Sequence, residues 1–264
     1  MRTIVLTGAT DGLGRALIPK LAAPGVRLIL SGRSADRGAE AVADAQGRGA
    51  RASFVAADLA SLAEVDRLAA AVLAESDSLQ MLINNAGIGF GGPEGVREVS
   101  ADGHELRFAV NYLAPVRLTE RLLPALIAGA PSQIVNVASI GQHPLEFDDL
   151  MLTRAYSGSR AYRQAKLAMI MWTFDLADRL KDKGVTANAL HPATFMDTTM
   201  VRQGGGAPLS TVAEGVEAVM KVIADGATVS GAYYDGQQPS RANEQAYDQA
   251  ARRRLREATD ALLT

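Results

Sequence analysis

A tyrosine and a lysine stand four positions apart in the stretch Tyr162-Arg163-Gln164-Ala165-Lys166. This spacing puts both side chains on one face of a helix, one turn apart. A free tyrosine has a pKa near 10, and a nearby ammonium group favours the phenolate and lowers that pKa. The pair therefore predicts a general acid–base centre, although a surface helix pair has the same spacing. Ser139, just past a predicted strand, is placed to donate to the same substrate oxygen.

A glycine-rich loop, Thr7-Gly8-Ala9-Thr10-Asp11-Gly12-Leu13-Gly14, lies between the first predicted strand and a helix that begins near Gly12. In this context the backbone can approach a pyrophosphate closely at a helix N-terminus, which predicts a phosphate-binding site. A purely structural turn is the alternative.

The end of the second predicted strand, Leu30-Ser31-Gly32-Arg33-Ser34, bears on cofactor choice. In nucleotide-binding folds this point faces the adenosine ribose, where a carboxylate favours NAD. Here Gly32 leaves room and Arg33 offers a bidentate cation for a 2′-phosphate, so we predict a preference for NADP. Arg33 as an exposed loop residue is the alternative, and the negative charge of Asp11 near the same pocket argues against the preference.

Two further strand ends carry candidate nucleotide contacts. Asp58-Leu59 follows the third strand, where a carboxylate can bond an adenine amino group. Asp58 can equally cap the next helix, a role for which Ser61 competes. The small residues of Asn84-Asn85-Ala86-Gly87 let the backbone pass close to a flat ligand, and the asparagines can tie neighbouring strand ends together.

The elements that position these residues alternate along the chain. Such alternation predicts right-handed βαβ units and an α/β fold: a Rossmann-type doubly wound parallel sheet of about seven strands with helices on both faces, in three α/β/α layers. The predicted strands are Thr3–Thr7, Arg27–Ser31, Ala52–Val55, Gln80–Asn84, Gln133–Ala138, Val185–Leu190 and Gly231–Tyr234. The predicted helices lie near 12–22, 35–47, 61–76, 98–128, 157–182 and 211–225.

We expect a single domain over residues 1–264, because nothing in the sequence resembles an interdomain linker. Irregular stretches at 88–97, 140–156 and 193–210 follow strands, where ligands bind in this architecture. Apolar residues in the last two predict an apolar substrate under a mobile lid, or simple packing of the loops onto the body; they are Leu145, Phe147, Leu150, Met151, Phe195, Met196 and Met200. The tail from Ala242 to Leu263 predicts an amphipathic helix with Arg252 to Arg254 on a solvated face.

Composition excludes several functions. The 264 residues contain 48% hydrophobic and 21% charged residues, and the net charge of −2 gives no footprint for nucleic acid. The absence of cysteine excludes disulfides and thiolate metal sites, and the three histidines lack metal-ligand spacing. The chain opens on a predicted strand and has no apolar run of membrane-spanning length, so we expect a cytoplasmic protein with no metal and no membrane span.

The ordered set of motifs resembles the short-chain dehydrogenase/reductase family, of the single-domain type with a T-G-x-x-x-G-x-G loop and a Y-x-x-x-K pair. The resemblance runs from Thr3 to at least Thr199. Retinol-dehydrogenase-like and protochlorophyllide-reductase-like members are the most similar, because 23 positions separate Ser139 from Tyr162. The tail around Ala246-Tyr247-Asp248, the Ser-Gly-Arg-Ser after strand two and the stretch Asn111-Tyr112-Leu113-Ala114-Pro115 fit the same group.

The resemblance implies four catalytic residues. Tyr162 is the general acid–base, Ser139 orients and polarises the substrate oxygen, and Lys166 lowers the tyrosine pKa and binds the nicotinamide ribose. Asn111 holds a water that links Lys166 to solvent. The residues expected to contact the cofactor are Gly8, Thr10, Asp11, Gly12, Leu13, Gly14, Arg33, Asp58, Leu59, Asn85, Ala86, Gly87, Tyr162, Lys166, Pro192 and Thr194.

One departure concerns the segment after strand six, where Pro192-Ala193 replaces the family's Pro-Gly. Thr194, Thr198 or Thr199 is then the threonine that contacts the cofactor.

The expected function is an NADP(H)-dependent oxidoreductase that acts on the carbonyl or alcohol of a small to medium apolar substrate. Reduction of a C=C or C=N bond and a non-catalytic NADP-binding sensor are the alternatives. The resemblance implies a homodimer or homotetramer that pairs the helices at 98–128 and 157–182, or a monomer.

Overall fold

The computed structural model describes residues 1–91 and 96–264, so part of the irregular stretch predicted at 88–97 lies outside the described residues. In the described part, one sheet of eight strands has the order β3-β2-β1-β4-β5-β6-β7-β8. The first seven strands pair in parallel, whereas β8 pairs antiparallel with β7. The strands are β1 (Arg2–Thr7), β2 (Val26–Gly32), β3 (Arg51–Ala56), β4 (Met81–Asn84), β5 (Ser132–Val137), β6 (Val185–His191), β7 (Tyr233–Asp235) and β8 (Gln238–Ser240).

Most helices lie at the predicted places. Their starts are set by side-chain caps: Ser34, Ser61 and Ser157 each accept a bond from a backbone N–H of the first turn. The helices are α1 (Gly12–Leu21), α2 (Ala35–Gly47), α3 (Leu62–Glu75), α4 (Leu106–Phe108), α5 (Ala114–Ala128), α6 (Gly158–Leu180), α7 (Thr199–Gln203), α8 (Val212–Asp225) and α9 (Gln249–Leu262).

The sheet is buried on both faces, as the doubly wound prediction requires. Strand β1 shows this directly, because Val5 joins the apolar cluster formed with α3, α5 and α6, whereas Ile4 and Leu6 join the cluster formed with α1 and α8. Side chains alternate between faces along a strand, so a continuous apolar run fills both cores. The predicted fold class is confirmed.

Four elements differ from the prediction. The helix expected over 98–128 begins at Leu106, because Val99 and Glu105 form an isolated antiparallel bridge and the Glu105 side chain caps the first turn. A π-helical turn, Ala109–Leu113, then connects α4 to α5. Strand β8 was not predicted because it is three exposed residues long and contains a proline, Pro239. The short α7 lies inside the stretch expected to be irregular.

The C-terminal helix α9 packs on α6 and is joined to it by ion pairs. Arg252 contacts Asp175 and Asp178, and Arg256 also reaches Asp175. The prediction of a merely solvated arginine face is therefore wrong for Arg252, which is directed at two carboxylates of α6. The buried side of α9 adds a hydroxyl–hydroxyl bond of 2.6 Å between Thr259 and Tyr112.

Candidate active site

The glycine loop turns sharply at the carboxyl end of β1. Gly8 and Gly12 have φ values of +67° and +49°, a region that side chains with a Cβ rarely adopt. A Cβ on Gly8 would lie 2.8 Å from the Cα of Ala86, and one on Gly14 would lie 2.1 Å from the carbonyl oxygen of Gly8. The turn and its close contact with the segment after β4 therefore require glycine even without a bound phosphate. The N-terminus of α1, including Leu13, opens directly onto this loop.

Asp11 has a structural role in this loop. Its carboxylate accepts a hydrogen bond of 2.7 Å from the Gly12 N–H and so caps α1. It also pairs with Arg37 at 3.6 Å on the exposed surface. The arginine partner was missed by the sequence analysis, although Arg37 stands four positions after Arg33 in the chain. The negative charge that argued against NADP is thus partly balanced by a second guanidinium group.

The end of β2 lies against the same loop. A Cβ on Gly32 would come within 2.8 Å of the Thr10 side chain, so Gly32 allows the two segments to touch. Arg33 follows immediately and is exposed. The geometry therefore brings Thr10, Arg33 and Arg37 to one edge of the glycine loop.

Asp58 is exposed at the end of β3, and its carboxylate accepts a bond of 3.0 Å from the N–H of Ala60. Ser61, rather than Asp58, caps α3 by accepting from the Glu64 N–H. The capping alternative for Asp58 is therefore wrong, and a contact between Asp58-Leu59 and an adenine ring stays a prediction.

The asparagines at the end of β4 tie strand ends together, as predicted. The Asn85 amide donates to the carbonyl oxygens of Thr7 at 2.9 Å and Gly8 at 3.2 Å, which links β4 to the glycine loop. The Asn84 amide donates to Asn136 on β5 at 2.8 Å. These bonds fix three adjacent strand ends relative to one another.

Tyr162, Lys166 and Asn111 converge behind this edge of the sheet. The Lys166 ammonium lies 5.7 Å from the centre of the Tyr162 ring and donates to the Val137 carbonyl at 2.8 Å. Lys166 is 4% exposed, whereas Tyr162 is partly exposed. A Cβ on Gly87 would lie 2.9 Å from the Asn111 side-chain oxygen and 3.5 Å from the Lys166 nitrogen, so Gly87 keeps this space open.

Asn111 lies in the π-helical turn, and its side chain makes two hydrogen bonds with the backbone of Ile88. Its amide oxygen accepts from the Ile88 N–H at 2.8 Å, and its amide nitrogen donates to the Ile88 carbonyl at 3.0 Å. Single π-helical turns often occur at functional sites, because they redirect a side chain. A water held by Asn111 stays a prediction; an asparagine amide has a second oxygen lone pair and a second N–H with which to bind one.

Ser139 is 8% exposed and lies just past β5. Its hydroxyl oxygen accepts a bond of 3.0 Å from the Gly141 N–H, so the hydroxyl hydrogen remains available to a second partner.

The pKa values differ from the sequence expectation. Burial raises the pKa of Tyr162 above its usual value, and the Ser139 hydroxyl opposes this increase. Burial also lowers the pKa of Lys166 to about 8. The expected lowering of the tyrosine pKa by Lys166 is therefore not found in the protein alone, because removing both groups from water disfavours both charges.

The segment after β6 separates the three candidate threonines. Thr194 is exposed and bonds the ring of His191 at 3.0 Å, next to the buried Pro192. Burial lowers the pKa of His191, which keeps its imidazole neutral near pH 7. Thr198 instead packs over the glycine loop, since a Cβ on Gly12 would lie 3.1 Å from its methyl group. Thr199 begins α7 and is exposed.

The apolar residues of the two loops divide into two groups. Leu145 and Leu150 are buried in the core, and Phe147 and Met151 pack against it, so these four are packing residues. Phe195 and Met200 are exposed at 42% and 40% of their surface, whereas Met196 is partly buried against the second core.

Phe90, which the sequence analysis missed, packs edge-on against Tyr162 with ring centres 4.7 Å apart. Its sequence signal is its place three positions after Gly87, on the segment that follows β4.

Within residues 1–91 and 96–264, no group of three or more histidine, aspartate or glutamate side chains is arranged to hold a metal ion. In the same described residues, no helix is both long and apolar enough to cross a membrane.

Comparison with known proteins agrees with this geometry. A family model described as short chain dehydrogenase matches residues 2–205. Human retinol dehydrogenase 13 is 34% identical, and the alignment covers 96% of this chain and 82% of that protein. The crystal structure of an uncharacterised Mycobacterium paratuberculosis protein has a TM-score of 0.81 at 27% identity and covers 100% of this chain and 93% of that one.

A second solved structure, an NADPH-bound carbonyl reductase from chicken fatty liver, has a TM-score of 0.69 at 26% identity and covers 92% of this chain and 99% of that one. The chain belongs to the short-chain dehydrogenase family. It is an oxidoreductase of the class that acts on alcohol and carbonyl groups.

Proposed function

We propose that this chain transfers hydride between NADP(H) and the carbonyl or alcohol group of a small to medium apolar compound. The observation that carries the proposal is the position of the Lys166 ammonium 5.7 Å from the centre of the Tyr162 ring, with the Ser139 hydroxyl acting on the same tyrosine. A protein that only bound a nucleotide would have no need of a buried ammonium next to a phenol, because burying that charge is unfavourable.

The residues present fit a dinucleotide. The loop at Gly8 and Gly12 turns with positive φ in front of the N-terminus of α1, which attracts phosphate. Gly87 leaves the space between β4 and Lys166 unfilled by a side chain. When bound, the nicotinamide supplies or accepts the hydride.

The chain's own residues then handle the proton. Tyr162 gives a proton to the carbonyl oxygen during reduction and takes it from the hydroxyl during oxidation. Ser139 donates a hydrogen bond to the same oxygen and holds it next to the phenol. Lys166 is mostly protonated at neutral pH, since its pKa is about 8, and its positive charge stabilises the phenolate. We assign to Asn111 a water on the proton's path from Lys166.

A preference for NADP(H) is supported by the charges beside the glycine loop. Arg33 is exposed at the end of β2, and Arg37 balances the charge of Asp11 at 3.6 Å. With the charge of Asp11 balanced by Arg37, the guanidinium of Arg33 suits a 2′-phosphate. Similar solved structures include the NADPH-bound carbonyl reductase from chicken.

An apolar substrate is supported by side chains on the segments that follow β4 and β6. The Phe90 ring packs on Tyr162, and Phe195 and Met200 leave large apolar surfaces exposed on the segment after β6. Relatives named retinol dehydrogenases point to the same class of alcohol. Reduction of a C=C or C=N bond would use the same Tyr162 proton, so the substrate panel must include such compounds.

The catalytic assignment is tested with Tyr162→Phe. NADPH oxidation is followed across aldehydes, ketones, quinones and imines, and the variant should lose at least about 100-fold in kcat, because a general acid contributes on that order. Tyr234→Phe is the control, since the Tyr234 hydroxyl donates to the Asp225 carboxylate at 3.0 Å. Equal turnover by Tyr162→Phe and the wild type would refute the assignment.

The cofactor assignment is tested with Arg33→Ala. NADPH binding should weaken about 10- to 100-fold while NADH binding stays the same, because a charge-assisted bond is lost. Arg51→Ala removes an equal charge at the amino end of β3 and serves as the control. An equal loss for both cofactors, or none, would refute the role of Arg33.

A further inference from the structure

The backbone carbonyl of Ser139 accepts two side-chain hydrogen bonds. The hydroxyl of Tyr233 donates to it at 3.1 Å, and the amide of Gln142 also donates to it at 3.1 Å. Tyr233 lies on β7, is 3% exposed and stands outside residues 2–205, which the family model matches. Because two hydrogen bonds end on the carbonyl oxygen of Ser139, the peptide plane that contains this carbonyl has little freedom to rotate.

The segment after β8 fixes the same loop at two further points. The Asn243 N–H donates to the Gln142 side-chain oxygen at 2.6 Å. The Gln245 side chain accepts from the Leu145 N–H at 2.6 Å and donates to the Leu145 carbonyl at 3.3 Å. The stretch from Ser139 to Leu145 has no regular secondary structure, so these bonds replace a helix or strand as its support.

We propose that Tyr233 and Gln142 are positioning residues, which hold the Ser139 backbone so that its hydroxyl meets the substrate oxygen. The proposal rests on the proposed function. The Gly141 N–H donates to the Ser139 hydroxyl oxygen and leaves its hydrogen to point at the substrate. The Ser139 hydroxyl keeps this orientation only if the backbone from Ser139 to Gly141 stays fixed. The hydrogen bonds from Tyr233 and Gln142 to the Ser139 carbonyl supply this restraint.

Tyr233 suits this task because its hydroxyl stays a donor. Burial raises its pKa above the usual tyrosine value, and the charge of Asp235 acts in the same direction. The hydroxyl therefore remains protonated over the whole range in which such enzymes are assayed.

The test compares two adjacent tyrosines. Tyr233→Phe removes the bond to Ser139, whereas Tyr234→Phe removes a bond of 3.0 Å to the Asp225 carboxylate. Both side chains are buried, at 3% and 1% exposure, so each variant loses one hydroxyl from the folded protein. We expect kcat to fall about tenfold in Tyr233→Phe with the Kd for NADPH unchanged, because a small displacement of a catalytic group has effects of this size. Tyr234→Phe should keep wild-type kcat.

A double-variant experiment separates positioning from general loosening. In a Ser139→Ala background, Tyr233→Phe should change kcat by less than about twofold, because the group that it positions is already gone. Gln142→Met removes the second donor and should lower kcat several-fold, which keeps the proposal testable if Tyr233→Phe does not fold.

Equal kcat values for Tyr233→Phe and Tyr234→Phe, or full activity of Gln142→Met, would overturn the positioning role. So would an unreduced effect of Tyr233→Phe in the Ser139→Ala background. Turnover that Tyr162→Phe leaves unchanged would instead refute the proposed function, so the two failures are distinguishable.

Discussion

Lys166 is a buried ammonium group, so we expect it to lower the stability of the fold. The side chain is 4% exposed, and its hydrogen bond goes to a neutral carbonyl, that of Val137. Burial lowers its pKa from 10.5 to about 8. We predict that Lys166→Met inactivates the enzyme and at the same time stabilises the fold at pH 7.

The magnitude follows from the pKa shift. The difference between pKa values of 10.5 and 8 corresponds to about 3–4 kcal/mol, at about 1.4 kcal/mol per pKa unit. The unfolded chain keeps the proton up to pH 10.5, whereas the folded chain releases it near pH 8. The destabilisation by the buried ammonium therefore has its full size below pH 8 and decreases as the pH rises from 8 to 10.5.

Urea unfolding, followed by the fluorescence of the single tryptophan Trp172, measures the effect. The advantage of Lys166→Met over the wild type should shrink by about 2 kcal/mol between pH 7 and pH 9.5, since the folded protein releases the Lys166 proton near pH 8 and the unfolded chain still holds it at pH 9.5. Lys221→Met, which removes an exposed lysine paired with Asp225, should stay within about 0.5 kcal/mol of the wild type. A difference between Lys166→Met and the wild type that does not change with pH would refute the reasoning.

Three further predictions concern the loop, the C-terminal helix and an acid-sensitive carboxylate. Gly14→Ala should lower the free energy of unfolding by about 1–3 kcal/mol and weaken NADPH binding in a fluorescence titration, because the new Cβ meets the Gly8 carbonyl oxygen at 2.1 Å. Tyr112→Phe should cost about 1 kcal/mol in urea unfolding, because its bond to Thr259 is lost; an unchanged midpoint would contradict this. Two arginines of α5 hold the pKa of Asp66 well below its usual range, so its carboxylate stabilises the fold above about pH 4 and this contribution is lost as the pH falls further. Asp66→Asn should therefore lose less stability than the wild type between pH 6 and pH 3.

The strands and most helices could be predicted from the sequence. A strand buried on both faces of a sheet is a continuous apolar run, and such runs are visible locally. It failed where a tertiary contact decides the boundary. The helix expected from residue 98 begins at Leu106, because the Val99–Glu105 bridge and the Glu105 cap stop it from extending backwards. No local pattern in the chain indicates that bridge.

The candidate site divides in the same way. The four-residue spacing from Tyr162 to Lys166 is local, and the structure brings this pair together with Asn111 near Gly87. Tyr233 reaches Ser139 across 94 positions, and its hydroxyl could not be assigned to the site from sequence. The direction of the tyrosine pKa was also out of reach, because desolvation depends on how completely the folded chain excludes water.

A buried polar network explains how groups on separate elements keep their register. Asn84 on β4 donates to Asn136 on β5 at 2.8 Å, and Asn136 donates to Thr173 on α6 at 2.9 Å. All three side chains are at most 4% exposed. At buried positions the loss of a hydrogen bond is strongly destabilising, and a bond that is made restrains both of its partners. Because α6 carries Tyr162 and Lys166 and β5 leads into Ser139, this chain of bonds fixes the acid–base pair relative to the serine. Proton transfer requires that distance to be constant, so the same burial that makes Lys166 unfavourable also supplies the rigid frame that its chemistry needs.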